Sequence, residues 1–137
     1  MHRFIKISAT GEQLADDATE WVAVLDTKQG LIFTVAESGE MEQPEAVEYV
    51  KTLEIGTLKD WRLPTVEELF LLADRSRVRP AIDTKYFPDC KSDWYWTGTL
   101  FSGSPGGCAW LVDFDGGSAS WDYQGSLGFV RAVRPGQ

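Results

Sequence analysis

The sequence predicts an α+β fold, and three observations predict it. Residues 108–114, Cys-Ala-Trp-Leu-Val-Asp-Phe, alternate as a strand does. Residues 44–53 repeat apolar side chains at three- and four-residue spacing, as a helix does. Residues 60–69, Asp-Trp-Arg-Leu-Pro-Thr-Val-Glu-Glu-Leu, spell out the start of a second helix. Strands, then two helices, then more strands is the order of an α+β chain.

Phe4, Ile5, Lys6 and Ile7 alternate weakly and read as the first strand, closed by a turn at Thr10-Gly11-Glu12. Residues 21–26 and 31–35 are β-rich runs on either side of a Gly30-containing turn, which predicts a hairpin. In 44–53, Ala46, Val47, Val50 and Leu53 share a face, and Glu45, Glu48 and Lys51 fall outside it. Pro44 suits a first helical turn, where its missing N–H costs nothing, and Gly56 closes the segment. Pro64 biases Leu63 toward an extended backbone. Thr65 then caps a helix over 66–73, and Glu68, three residues on, completes a capping box. Leu69, Phe70, Leu72 and Ala73 supply its apolar side, and the chain leaves the helix before Pro80. Residues 82–90 form an irregular connector. Strands follow at 94–97, 108–114, 118–123 and 129–133, with a Gly/Ser/Pro-rich loop at 101–107 and turns at 115–117 and 124–128. No repeat, low-complexity tract or linker interrupts the chain, so residues 1–137 read as one domain.

At 137 residues the chain is long enough to bury a core without metals or several disulfides. Six Trp and seven Phe are many for this length. A net charge of −8 argues against nucleic acid held through its phosphates. Residues 11–60 carry twelve Asp/Glu against three Lys/Arg, either a solvated face or a surface for a basic partner. The N-terminus lacks the apolar core of a signal peptide, and no run reaches transmembrane length. The expectation is therefore a cytoplasmic chain with no membrane partner. Cys90 and Cys108 lie in no CxxC motif, and with one His the usual zinc spacings are excluded. Reduced, buried thiols are the leading reading and a disulfide the alternative. No cofactor is expected.

Four pieces taken together carry a resemblance: residues 60–69; Tyr95-Trp96-Thr97; Ala109-Trp110-Leu111-Val112-Asp113-Phe114; and Val130-Arg131-Ala132-Val133-Arg134. In this order they resemble the Lcl C-terminal domain family, named from the C-terminal domain of a bacterial collagen-like adhesin. Arg62-Leu63-Pro64-Thr65 is also similar to a motif of formylglycine-generating, sulfatase-modifying domains. The resemblance implies a C-type-lectin-like fold. Two helices would flank a small twisted, mostly antiparallel sheet, and a long irregular loop region would carry the ligand site. The early strand would pair with the late strand at 129–133. The adhesin domain binds sulfated glycosaminoglycans; this chain lacks a collagen-like tract, and its late half is near neutral rather than basic. Trp61, Arg62, Pro64, Thr65, Glu68, Trp96, Trp110, Arg131 and Arg134 are the family-like framework. Among them Trp61, Trp96 and Trp110 are expected in the core. Arg62, Arg131 and Arg134 are expected on internal carboxylates such as Glu68 or Asp113, with a bidentate hold on a ligand carboxylate as the alternative.

The resemblance places the ligand surface between residues 97 and 128. The candidates are Ser118, Ser120, Trp121, Asp122, Tyr123 and Gln124, with Phe101 and Ser102 from the preceding loop. Aromatics give contact area at low entropy cost, and Ser and Gln give adaptable hydrogen bonds. A period of two sets Ser118, Ser120 and Asp122 on one face and Ala119, Trp121 and Tyr123 on the other. At least one face should be core, so Trp121 and Tyr123 read either as packing or as recognition residues. Asp113, Asp115 and Asp122 are a weak calcium candidate, with an Asp115 turn bonding its own backbone as the alternative. His2 stands at the chain start, so no Ser-His or Cys-His pair is expected, and Cys90 and Cys108 do not fit the cysteine motif of the formylglycine enzymes. The function expected is a non-enzymatic module binding a protein or a glycan. The alternative is an acidic protein–protein interaction or inhibitor protein of phage or prophage type. Homo-oligomeric assembly is a third reading.

Overall fold

A computed structural model describes residues 2–103 and 107–136. Its elements are β1 (Phe4–Ile7), β2 (Ala23–Asp26), β3 (Leu31–Thr34), α1 (Gln43–Lys51), α2 (Val66–Leu72), β4 (Trp94–Phe101), β5 (Cys108–Asp113), β6 (Ala119–Tyr123) and β7 (Val133–Pro135). They make an α+β fold with two antiparallel sheets, ordered β1-β2-β3-β7 and β4-β5-β6. The sequence reading expected one sheet.

The predicted hairpin is β2–β3, with Val24 opposite Phe33. At its turn Gly30 takes a positive φ of 69° and its N–H donates to the Asp26 carbonyl at 2.8 Å. The last strand differs from expectation. Residues 129–132 form no regular strand, and β7 begins at Val133 and pairs with β3 rather than with β1. The chain ends thus lie at opposite edges of one sheet. Residues 128–133 run as a seam between the sheets instead. Gly128 pairs with Met41, Phe129 bonds both Trp94 and Trp96, and Val133 exchanges two hydrogen bonds with Arg62. That stitching takes up the backbone groups a regular strand would have used.

Both helices are close to prediction. α1 buries Ala46 and Val50, with Val47 and Leu53 packed beside them. It ends at Lys51, ahead of Leu53, and the Thr52 N–H closes onto Tyr49. α2 carries the predicted capping box between Thr65 and Glu68. Its apolar side is Leu69 and Leu72; Phe70 is exposed and lies against Arg75, whose guanidinium carbon sits 3.4 Å from the ring centroid. Three-residue spacing puts Leu69 and Leu72 on the core side, and Phe70 is turned off it.

Each sheet lies between two apolar clusters. One contains Phe4, Phe33, Leu69, Leu72, Tyr95 and Val112. The other contains Ile7, Ile32, Val50, Trp61, Trp96 and Leu111. Alternation does this: Tyr95 and Val112 are register partners facing one way, and Trp96 and Leu111 are partners facing the other. α2 therefore covers one face of the three-stranded sheet and α1 the opposite face.

Candidate functional site

The starts of the helices meet the sheet in the second half of β4, where Gln43 donates to the Thr97 carbonyl and the Val66 N–H to Thr99 Oγ1. The sheet's far end is where β4 finishes, β5 begins and β6 finishes. There the pairing is Phe101 with Cys108, Trp110 with Trp121, and Cys108 with Tyr123. Phe101, Trp110, Trp121 and Tyr123 thus share the α2-side face. Phe101 and Trp121 stack with centroids 4.2 Å apart and planes 4° from parallel. Trp110 meets both edge-on, at 5.6 Å and 5.3 Å. Each such pair adds about 0.5–1.5 kcal/mol beyond area burial, so the ridge is braced by its own rings. It is nevertheless open: Trp121 is 48% exposed and Tyr123 64%. A shallow groove of about 280 Å³ continues it between Trp110 and the Val66, Glu67 and Phe70 side of α2.

The opposite face holds a cleft of about 230 Å³, lined by Trp94, Leu111, Ser120, Trp121, Asp122 and Leu127. Asp122 Oδ1 accepts the Tyr123 N–H at 2.7 Å. Among the described residues, its other oxygen and the Ser120 hydroxyl have no hydrogen-bond partner.

The predicted site residues are brought together, but on two faces. Phe101, Trp121 and Tyr123 build the ridge, while Ser120 and Asp122 open on the cleft. The expectation that one face of 118–123 is core does not hold at this end, because β6 is an edge strand whose last three residues, Trp121, Asp122 and Tyr123, are exposed. Ser118 is exposed, and its carbonyl accepts the Asp113 N–H at 2.8 Å. Ser102 is exposed; residues 104–106 of the predicted loop lie outside the described residues. Gln124 is a strut: it donates to buried Gln43 at 2.8 Å, and Gln43 donates to the Thr97 carbonyl at 3.2 Å. Sequence reading missed Trp94, Leu111 and Leu127 as cleft walls. Leu127 had a signal, since a Leu amid Gly125, Ser126 and Gly128 has no strand or helix to pack it.

The three aspartates do not gather. Asp122 pairs with Ala109, four residues along β5 from Asp113, or roughly 13 Å. Asp113, not Asp115, bonds the turn, accepting the Asp115 N–H at 2.8 Å. Asp115 instead lies 3.7 Å from Arg79. Among the described residues no group of His, Cys, Asp or Glu is placed to hold a metal ion.

The framework residues hold the scaffold under the site. Trp61 and Trp96 are buried, their indole N–H groups donating to Leu58 and Met41 carbonyls at 3.2 and 2.8 Å. Trp110 is the exception, half-buried in the ridge rather than in the core. Its face of the sheet is left open there by the groove beside α2. Pro64 is buried at the helix entry. Arg62 pairs with Glu68 as expected. Burial alone would raise the Glu68 carboxyl, but Arg62 and the Thr65 N–H together hold it below the usual carboxylate range. Arg131 pairs with Glu37 rather than Asp113, and also donates to the Thr34 carbonyl. It is fully buried, with its guanidinium over Phe87 and Tyr95 at 4.8 and 5.4 Å. Burial pushes the neighbouring Tyr95 hydroxyl and Cys90 thiol upward, so both stay protonated. Arg134 meets no carboxylate among the described residues, contrary to expectation: it donates to the Lys59 carbonyl and lies 5.9 Å from the Trp61 ring. Cys90 and Cys108 are not joined by a disulfide.

The model of the Lcl C-terminal domain family matches residues 22–134, a span that contains these framework positions and the seam at 128–134. The chain belongs to the Lcl C-terminal domain family. No curated protein matches it. Membership relates this Lcl C-terminal domain to the terminal domain of an adhesin. No described helix is long and apolar enough to cross a membrane.

Proposed function

We propose that this Lcl C-terminal domain is a non-enzymatic binding module that recognises a protein or a glycan through the free end of the β4-β5-β6 sheet. One observation carries the reading: large aromatics stand half-exposed or more on an edge strand, where Trp121 is stacked on Phe101 and edge-on to Trp110. Exposed, pre-organised aromatic surface marks recognition rather than folding, because folding would have covered it. Ser120 and Asp122 behind the ridge add polar groups of the kind that orient a ligand. The scaffold reading that goes with it is a C-type-lectin-like fold. It is supported by the two helices on opposite faces of one sheet and by the long irregular connector before β4. Wild type and Trp121→Ala, compared on a glycan array and in a pull-down from lysate, test the function. Ligands retained by wild type and lost by the variant support it. Identical profiles would remove the ridge from consideration.

A second reading rests on a different surface. Glu40, Glu42, Glu45, Glu48, Glu54 and Asp60 are all exposed, and of these only Glu48 has a cation partner among the described residues, Lys51 at 3.1 Å. Such a face suits a basic protein partner in the cytoplasm. Glu42→Gln/Glu45→Gln abolishing a captured protein would favour it.

A further inference from the structure

The edge of β6 carries an inference that rests on the aromatic-ridge reading and goes further. Asp113 donates to the Ser118 carbonyl, and Gln124 donates to Gly107. With Trp110 opposite Trp121, this phase makes 118, 120, 122 and 124 the positions bonded to β5. The N–H and C=O groups of Ala119, Trp121 and Tyr123 therefore point away from the sheet. At Tyr123 both are closed locally, the N–H by Asp122 Oδ1 and the carbonyl by Ser126 N–H. At Ala119 and Trp121 neither group has a partner among the described residues. The opposite edge of the sheet is not open in this way, since β4 is bonded there to Phe129 and Pro64.

We propose that the open β6 edge accepts an extended, basic peptide segment as a fourth strand of this sheet. Strand addition draws affinity from main-chain hydrogen bonds and specificity from pockets that receive alternate side chains. Both are in place here. A strand laid along Ala119 and Trp121 would send alternate side chains to the ridge of Trp121 and Phe101 and to the cleft of Ser120 and Asp122. Charge sets the sign of the partner. Asp122 stands at the cleft, Glu67 borders the ridge groove, and the chain carries −8 overall. Lysine or arginine on the cleft side and an aromatic residue on the ridge side is the complementary pattern.

The probe is an acetylated, amidated hexapeptide of alternating tyrosine and lysine, added to the intact protein. Hydrogen exchange by NMR reads the pairing directly. The Ala119 and Trp121 amides are expected to slow at least tenfold with peptide, while Ser120 and Asp122, already bonded to β5, change little. N-methylating alternate peptide amides should weaken binding at least tenfold. Ala119→Pro removes an outward N–H and no β5 bond, so it should weaken binding by a similar factor. If that variant loses its fold, the wild-type exchange measurement still decides. A peptide that shifts the Trp121 indole without protecting the two amides overturns strand addition and leaves the ridge reading standing. Absence of peptide binding overturns it too, and a glycan retained by wild type but lost in Trp121→Ala would then keep the ridge reading alone. Protection that rises with protein concentration without peptide, together with a doubled mass in solution, assigns the edge to a second copy and also overturns the proposal.

Discussion

Arg62 and Glu68 meet through two parallel hydrogen bonds, Nη1 to Oε1 at 2.8 Å and Nη2 to Oε2 at 2.9 Å. The same Oε1 accepts the Thr65 backbone N–H at 2.9 Å, and the Arg62 backbone is bonded to Val133 in both directions. One carboxylate thus caps α2 and fastens the helix to the strand that closes the other sheet. Glu68→Ala is expected to cost about 2 kcal/mol, roughly half from the cap and half from a fork whose Arg62 end is screened by water. Thr65→Ala, which loses the cap alone, should cost about 1 kcal/mol. Urea unfolding ranks them; equal losses would mean that the fork contributes nothing.

Asp26 answers to acid. It is fully buried and takes Arg3 in a bidentate pair at 2.8 and 2.7 Å, with Gln29 at 2.9 Å. Burial alone would raise its carboxyl, but these partners hold it below the usual range. A carboxyl held low in the folded state stabilises fully above its unfolded pKa, about 4, and the stabilisation is lost as pH falls through the lower folded value. Urea midpoints should therefore be level near neutrality and fall below about pH 4. Asp26→Asn should be less stable at pH 7 and show a shallower acid limb. An unchanged limb would place the acid sensitivity elsewhere.

Arg131 is the most consequential buried charge. Arg131→Ala strands the Glu37 carboxylate, and a loss of about 3–5 kcal/mol is expected. Arg131→Lys should recover little, because one ammonium cannot reach Thr34 and Glu37 as a planar fork does. Arg131→Met combined with Glu37→Gln should cost less than the two single changes added. Denaturant titrations of the four proteins give the coupling directly.

The tryptophans should separate cleanly. Trp96 is fully buried among Trp61, Leu111 and Val130, so Trp96→Ala should cost about 3–5 kcal/mol. Trp121→Ala loses two ring contacts and a half-exposed surface, and about 1–3 kcal/mol is expected. Thermal unfolding of both variants checks the contrast, and a comparable loss at the two positions would place Trp121 in the core after all.

Gln124 and Ser120 should part in the same way. Gln124→Ala removes the donor to buried Gln43 and is expected to cost about 1–2 kcal/mol. Ser120→Ala should stay within about 0.5 kcal/mol, since its hydroxyl holds nothing in the scaffold. Chemical unfolding distinguishes strut from site.

Local chemistry was legible in advance. The capping box, the β2–β3 hairpin, the face of α1 and the strand at 108–114 each follow from spacings within a few residues. What escaped was decided by contacts far apart in sequence. The seam at 129–132 looks like a strand because Phe129, Val130 and Ala132 are apolar, yet its hydrogen bonds go to Trp94, Trp96, Ser38 and Thr34. Phe70 fits an apolar stripe, but Arg75 takes it. Gln124 reads as an adaptable surface amide until Gln43, 81 residues away, claims it. For β6, alternation assigns the two faces correctly. It cannot say that both of them stay open at the end of the strand.

Phe101, Trp110, Trp121 and Tyr123 belong to neither apolar cluster. If the proposed ridge is the binding surface, folding and recognition draw on separate sets of large side chains. Lineages sharing this scaffold are free to rewrite the tip of the sheet, swapping ring for ring or ring for charge, while the machinery that keeps the chain folded stays untouched. Divergence within the family should accordingly concentrate at Phe101, Trp121 and Tyr123 and at Ser120 and Asp122 behind them.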